Sequence, residues 1–393
     1  MDYLREDKEY ILHTYKREDI AFVRGNNATL YDINGKDYID FGSGIGVVSV
    51  GHGNKILAEA ICDQANKLIH TSNLYHIIPQ IELAKKIVNL SGYDMRLFFA
   101  NSGAEANEGA VKIARKYGES RGGKKKIITL EHSFHGRTIT TIKATGQSKM
   151  QPPHFSPYPD GFVHVATIDD IYENIDDETV GVMIELVQGE GGVEPFKKEE
   201  VQDLAKFLKS KDLLLIVDEV QTGVYRSGEF LASMLYEIEP DIITLAKGLG
   251  GGVPIGAVMT RLKDIFEYGD HGSTFGGNFL STRAANVVLD ILKDEYASNR
   301  LKERIEFFNS FIENFAKEDR LFSKSVGIGL MRGLRTKEAS IQEAILKESL
   351  KEGVILLKAG RNTVRFLPPL TISKNEIEEG FKRFEMALGR VGV

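Results

Sequence analysis

Along the 393-residue chain the spacing of hydrophobic positions changes character twice. Up to about residue 50 it alternates in short runs, and 29–33 and 36–41 flank Asn34-Gly35, a two-residue turn pair that predicts a β-hairpin. From about 55 the period lengthens to that of helices over 56–68 and 81–90, after which apolar runs alternate with helical stretches. The runs fall at 96–100, 126–130, 181–187, 213–217 and 242–245, with helices predicted over 104–117 and 199–209. Leu213-Leu214-Leu215-Ile216-Val217 is apolar at every position, which suits a strand covered on both faces. Such strands alternating with helices predict a doubly wound, mainly parallel sheet. After about 280 come long helices at 280–292 and 300–316, then strand, helix and strand around 354–357 and 363–367, and a last helix from Lys374. The expected organisation is 1–54 as an N-terminal segment of a small domain, 55–280 as a large domain and 281–393 as the α+β small domain. A ligand cleft is expected between the two.

Composition narrows the function classes. Hydrophobic residues at 42% and charged residues at 27% are those of a globular chain and set aside disorder. A net charge of -6 argues against a nucleic-acid partner, whose phosphates require a basic stripe to displace counterions. The single cysteine, Cys62, excludes an intrachain disulfide framework and a cysteine metal cluster, so a reducing, cytoplasmic location is expected. No run approaches the ~18 apolar residues of a membrane span, and no membrane partner is expected. The Asn27-Ala28-Thr29 and Asn89-Leu90-Ser91 sequons carry no weight without a secretory route. Glycine is the unusual component: there are 39, five of them between Gly42 and Gly53, where backbone is expected to adopt conformations or approaches that a Cβ forbids.

Gly118-Glu119-Ser120-Arg121-Gly122-Gly123-Lys124-Lys125 nearly spells a P-loop, but Lys125 stands where a magnesium-binding hydroxyl belongs. The segment also runs from helix to strand, the reverse of the required order, and is read as a surface turn. His-Glu-x-x-His does not occur, and Gly-x-Ser-x-Gly occurs only within this same helix-to-strand turn, at Gly118-Glu119-Ser120-Arg121-Gly122, where a nucleophile elbow requires strand to helix; this weighs against a zinc protease and an α/β-hydrolase, and no metal is expected. Three other segments carry chemistry. Asn101-Ser102-Gly103-Ala104-Glu105-Ala106-Asn107-Glu108 opens a helix with small residues, either as a Ser-capped start or as a phosphate seat built from unbonded N–H groups and the helix dipole. Asp218-Glu219-Val220-Gln221 sits at the carboxyl end of a buried strand, where ligands lie in open α/β sheets. Its carboxylate needs a metal or a cationic ring nitrogen as partner, unless it caps a helix. Lys247 stands between the run at 242–245 and Gly248, Gly250, Gly251 and Gly252. Most lysines are solvated, yet an amine beside a Gly-rich turn is what a Schiff base with a bulky aldehyde requires.

In this chain order, together with Gly44-Ile45-Gly46-Val47, His132-Ser133-Phe134-His135-Gly136-Arg137, Gln188-Gly189-Glu190-Gly191-Gly192 and Gly272-Ser273-Thr274-Phe275-Gly276-Gly277-Asn278, these segments resemble the class III pyridoxal-phosphate aminotransferases. The resemblance spans nearly the whole chain and is closest to the acetylornithine branch. It implies the α/β fold type I of pyridoxal-phosphate-dependent transferases, with a mainly parallel seven-stranded sheet, and pyridoxal 5′-phosphate as cofactor. By the same resemblance Lys247 binds the cofactor covalently and shuttles the substrate proton, while Asp218 keeps the pyridine nitrogen protonated. Phe134 stacks on the ring, Gln221 bonds the phenolic oxygen with Val220 beside it, and Ser102, Gly103 and Ala104 seat the phosphate. Thr274 reaches the phosphate of a neighbouring subunit, which implies a homodimer with shared active sites. Arg137 is the implied carboxylate clamp, Glu190 and Arg365 the implied substrate gate, and Tyr75 and Ser273 further substrate-binding positions. A permanent Glu190–Arg365 salt bridge is the plainer alternative.

The implied reaction moves the terminal amino group of N2-acetyl-L-ornithine to 2-oxoglutarate in two ping-pong halves, a step of arginine synthesis. Succinyldiaminopimelate, ornithine and 4-aminobutyrate are alternative donors, and an aminomutase or a non-catalytic binding protein are readings from other classes. The chain departs from the family pattern at Leu186, Tyr225, Ser227 and Phe279. Tyr225, in place of a glycine, is the departure expected to alter the pocket edge.

Overall fold

Strands β1 (Phe22–Asn26), β2 (Thr29–Asp32) and β3 (Asp37–Asp40) open the chain in the computed structural model, which describes residues 3–317 and 320–391. The middle carries β4 (Arg96–Ala100), β5 (Lys126–Leu130), β6 (Phe162–Val165), β7 (Thr179–Ile184), β8 (Val187–Gln188), β9 (Glu194–Pro195), β10 (Leu214–Asp218), β11 (Ile242–Leu245) and β12 (Gly256–Thr260). Strands β13 (Phe322–Ile328), β14 (Met331–Thr336), β15 (Val354–Ile355), β16 (Leu357–Ala359) and β17 (Thr363–Phe366) follow the long helices Phe279–Ala297 and Arg300–Phe315.

Seven of these form one sheet in the order β4-β12-β11-β10-β7-β5-β6. Only β12 runs against its neighbours, so the sheet is mainly parallel, as the alternating apolar runs predict. Every residue of β7, β10, β11 and β12 is buried. Helix Gly103–Glu119 packs one face of the sheet through Ala110, Ile113 and Ala114, and helix Lys198–Ser210 packs the other through Val201, Leu204 and Leu208. With both faces covered, the open place for a ligand is the carboxyl edge of the parallel strands.

Of two smaller sheets, β1-β2-β3-β15 joins the two ends of the chain and β13-β14-β17-β16 is built from its C-terminal part. Phe41 from the first segment packs in a buried aromatic cluster with Phe308, Phe366 and Phe381, at ring separations of 5.1 to 6.1 Å. The predicted hairpin at Asn34-Gly35 forms, with Gly35 at φ +82°. The predicted strand at 354–357 divides: β15 pairs with β3, whereas β16 turns into the other sheet and pairs with β17. A single apolar run thus serves two sheets, a distinction that periodicity does not carry.

Beyond β3 the chain makes a left-handed turn of four residues, with φ of +41° at Ser43, +63° at Gly44, +66° at Ile45 and +77° at Gly46. Asp40 Oδ1 accepts from the backbone N–H groups of Gly42 at 2.9 Å and Ser43 at 2.8 Å, fixing the start of the turn. Among the described residues, no helix is long and apolar enough to cross a membrane.

Candidate active site

The carboxyl ends of β5, β7, β10 and β11 deliver Phe134, Glu185, Asp218 and Lys247 to one cavity of about 380 Å³, which Ser102, Arg137, Glu190 and Gln221 also line. Strand register explains the grouping. Ile184 pairs with Val217, so Glu185 and Asp218 leave adjacent strands side by side. Asp218 in turn lies opposite Thr244 of β11, three residues before Lys247. The turn after Asp218 is fixed by Glu219, whose buried carboxylate accepts from Ala232 N, Ser233 N, Ser233 Oγ and Thr222 Oγ1 at 2.7 to 2.8 Å.

Asp218 is 4% exposed and takes three hydrogen bonds. Its Oδ2 accepts from His135 Nδ1 and Asn107 Nδ2, both at 2.8 Å, and its Oδ1 accepts from Val220 N at 3.0 Å. Burial would raise this carboxyl, but His135 and the two N–H donors hold it below its ordinary range, so it is an anion at neutral pH. Burial likewise opposes charge on His135, and Asp218 with Glu185 reverses that and raises the imidazole. Glu185 lacks such support. Its one hydrogen bond is from Phe134 N at 3.0 Å, and burial beside the Asp218 charge pushes it up to about 7, against the pull of His135 and Lys247.

Lys247 has a left-handed φ of +40° on the turn that follows β11. Burial holds its amine below the ordinary lysine range and Arg365 acts in the same direction, against Glu190, Asp218 and Glu185. A larger share of the amine is therefore neutral and nucleophilic. Opposite it, Arg365 Nη1 donates to Glu190 Oε1 at 2.7 Å and to Gln221 Oε1 at 3.2 Å. Burial would raise Glu190, but Arg365 holds it below the carboxylate range. The Arg137 guanidinium lies 5.4 Å from the centroid of the Phe134 ring.

The sequence profile of the class-III aminotransferases matches residues 11–388. The chain belongs to the class-III aminotransferases. An acetylornithine aminotransferase from Wolinella succinogenes is 61% identical over 386 residues, covering 97% of this chain and 98% of the relative. A succinylornithine transaminase from Salmonella agona is 42% identical over 391 residues, covering 98% and 95%. Among solved structures, the ornithine aminotransferase from Toxoplasma gondii superposes with a TM-score of 0.92 at 31% identity, covering 98% of this chain and 94% of that one. The aminotransferase is accordingly pyridoxal-phosphate-dependent, with the fold of that family.

The residues present fit that cofactor. The first-turn N–H groups of Gly103 and Ala104 have no carbonyl four residues back within their helix, and Ser102 Oγ accepts from Glu105 N at 3.2 Å. The backbone crowds round this seat: a Cβ on Gly256 would lie 2.2 Å from Ser102 O, and one on Gly103 would lie 2.7 Å from a methyl of Val220. Asp218 Oδ1, with a single N–H bonded to it, keeps acceptor capacity for a protonated ring nitrogen. Among the described residues no group of His, Cys, Asp or Glu could hold a metal ion.

Of the residues expected from sequence, the aminotransferase brings Ser102, Gly103, Ala104, Phe134, Arg137, Glu190, Asp218, Val220, Gln221 and Lys247 to the cavity, with Arg365 bonded to its wall. Ser273 stands behind it, its hydroxyl accepting from Asn101 Nδ2 at 3.1 Å. Tyr75 and Thr274 are exposed and lie outside the cavity of the single chain. Tyr225 does not alter the pocket edge: it is 2% exposed and packs between Phe230 and Tyr296 in the core. Its φ of +66° is the physical reason a glycine suits that position. Sequence reasoning passed over Asn107, His135, Glu185 and Val47 as cavity residues. The signal for Glu185 was a lone acid within an otherwise apolar run; Asn107 is buried on the helix Gly103–Glu119, where its bond to Asp218 turns it inward.

Proposed function

We propose that the chain is an N2-acetyl-L-ornithine:2-oxoglutarate 5-aminotransferase, giving N-acetyl-L-glutamate 5-semialdehyde and L-glutamate. The observation that carries this reading is the Glu190–Arg365 ion pair at 2.7 Å facing a pK-lowered Lys247, and the 61% identity to an acetylornithine aminotransferase supports the donor. When bound, the cofactor supplies an aldehyde that takes up the amino group and a protonated ring that draws electrons from the reacting carbon. Asp218 holds the proton at the ring nitrogen, and His135 and Asn107 hold Asp218 in place. Lys247 Nζ would carry the proton from the amine-bearing carbon to the aldehyde-derived carbon of the cofactor, and back again in the reverse direction. Phe134 covers the ring, and Arg137 clamps a substrate carboxylate with its planar fork.

Glu190 neutralises Arg365 while an acylated diamino acid is bound; a dicarboxylate displaces it and takes the guanidinium. Exchange of partners at one arginine lets a single site serve two substrates of different charge. Exposed Leu74, Tyr75 and Phe275, together with Thr274, support a homodimer in which these residues complete the partner's site. The separate seven-stranded sheet supports a division into a small-domain segment at 1–54, a large domain at 55–280 and a small domain at 281–393, with the terminal residues of those bounds outside the described ones. Cytoplasmic location agrees with the single cysteine, Cys62.

Lys247→Ala is expected to abolish both the visible band that arises from the covalent link between Lys247 and the cofactor and multiple turnover; wild-type activity in that variant would refute the assignment. Ranking acetylornithine, succinyldiaminopimelate, ornithine and 4-aminobutyrate by kcat/KM tests the donor. N2-succinylornithine belongs in the same competition, because the Salmonella relative carries that name. Without 2-oxoglutarate a transaminase stops after one transfer per site, whereas an aminomutase continues.

A further inference from the structure

The substrate gate and the residue facing the ring oxygen touch one another. Arg365 Nη1 reaches Gln221 Oε1 at 3.2 Å while it holds Glu190 at 2.7 Å. A guanidinium only donates, so the Gln221 atom in that contact is its carbonyl oxygen, and the arginine fixes which way the amide faces. Gln221 lines the cavity, and with its oxygen committed to Arg365 the amide is left to offer the cavity its NH2 group.

Gly189 holds the amide from the other side. A Cβ at this position would lie 2.0 Å from Gln221 Oε1 and 2.6 Å from Cδ, so the missing side chain is the space in which the amide sits. Gly189 is not among the glycines of positive φ, and backbone freedom does not account for it. Arg365 is equally constrained: it is 2% exposed on β17, paired with Gly333 of β14, and its Nε is buried without a partner.

We infer that Arg365 is a positioning residue for Gln221, and that through this shared nitrogen the state of the Glu190–Arg365 pair is transmitted to the cofactor ring. With the pair closed, the amide presents a donor that stabilises negative charge on the ring oxygen. When a dicarboxylate draws the guanidinium away, Gln221 loses the bond that orients it and that donor weakens. The cofactor is thereby tuned differently in the two half-reactions without any change in the groups that contact it. This inference rests on the proposed placement of the ring oxygen beside Gln221.

The test is the pH midpoint of the visible absorbance of the holoenzyme in wild type, Gln221→Met, Arg365→Lys and the double variant. Each single change is expected to move the midpoint by about half a unit or more, and the double variant to match Gln221→Met alone, because the arginine acts through the amide. Additive shifts in the double variant overturn the inference. Gly189→Ala removes no polar group but pushes the amide aside; it is expected to reproduce the Gln221→Met midpoint, and an unmoved midpoint in that variant also overturns it. An unmoved midpoint in Gln221→Met would instead overturn the placement of the ring oxygen beside Gln221, whereas a midpoint moved by Gln221→Met and unmoved by Arg365→Lys overturns the inference alone, so the two failures are told apart.

Discussion

Tyr225 stands where the backbone favours glycine, with φ of +66° after a Val224 at +56°. A side chain in this left-handed region costs roughly 1–2 kcal/mol. The ring offsets that cost by burial, with its centroid 5.4 Å from that of Phe230 and 5.1 Å from that of Tyr296. Tyr296 is held in turn by Glu229, whose two carboxylate oxygens accept from its hydroxyl at 2.9 and 2.7 Å. Truncating such a ring to alanine costs about 3–5 kcal/mol. Tyr225→Ala loses the ring and keeps the backbone strain; Tyr225→Gly loses the ring and sheds the strain, at a chain-entropy cost of about 0.5–1 kcal/mol. Both variants are expected to be less stable than wild type, with glycine above alanine by about 1 kcal/mol, the reverse of the usual order of the two residues. Thermal unfolding of the two variants side by side is the assay. An alanine variant as stable as the glycine variant, or more so, would refute the argument from strain. Because Tyr225 does not line the cavity, kcat/KM should stay close to wild type for each amino donor; a changed donor ranking would restore Tyr225 to the pocket edge.

Glu185→Gln tests the raised carboxyl. The native state keeps a proton that the unfolded chain releases between about 4.5 and about 7, so this group's contribution to stability is full at low pH and is lost as pH rises through 7. The melting temperature of the variant should therefore gain on wild type between pH 5 and 8, and a difference independent of pH would count against the shift. Asp218→Asn keeps the size of the side chain and removes the anion facing the ring nitrogen; the cofactor should still bind Lys247, with turnover reduced by about 100-fold or more. Equal turnover would remove the role. Gly256→Ala places a Cβ 2.2 Å from Ser102 O and should displace the helix start that seats the phosphate, seen as faster loss of cofactor on dialysis. Retention equal to wild type would show that the seat tolerates the displacement.

The large sheet was legible because its strands announce their burial on both faces, as Leu214, Leu215, Ile216 and Val217 do without a polar interruption. Asp218 was legible for a related reason, since a carboxylate directly past such a run needs a partner, whereas Lys247 was legible from the glycines that follow it and from its place in the order of motifs. The hairpin of β13 and β14 gave no such sign. Phe322–Ile328 mixes serine, lysine and glycine, its register with β14 shifts at a bulge between Phe322 and Lys324, and β14 in turn pairs with distant β17. His135 and Asn107 escaped notice because their importance lies in a shared partner, Asp218, 83 and 111 residues further along. Contacts of that separation are written in the topology and not in any local window. The same holds for Gln221 and Arg365, each legible alone and their contact legible only once β17 is folded beside the turn after β10.

The parallel pairing of Ile39 with Val354 has a consequence for how the protein is made. The first sheet cannot be completed until its fourth strand has been synthesised, some 315 residues after the third. At about 5–20 residues per second the opening segment waits roughly 15 to 60 s. By then the strands of the seven-stranded sheet have all left the ribosome, and that sheet can form without it. The apolar residues of the opening segment, Phe41 among them, are exposed throughout that wait, and a nascent chain stalled before residue 354 presents them to chaperones or to other chains. A part of the protein translated among the first is therefore completed only once a strand near the other end has been made.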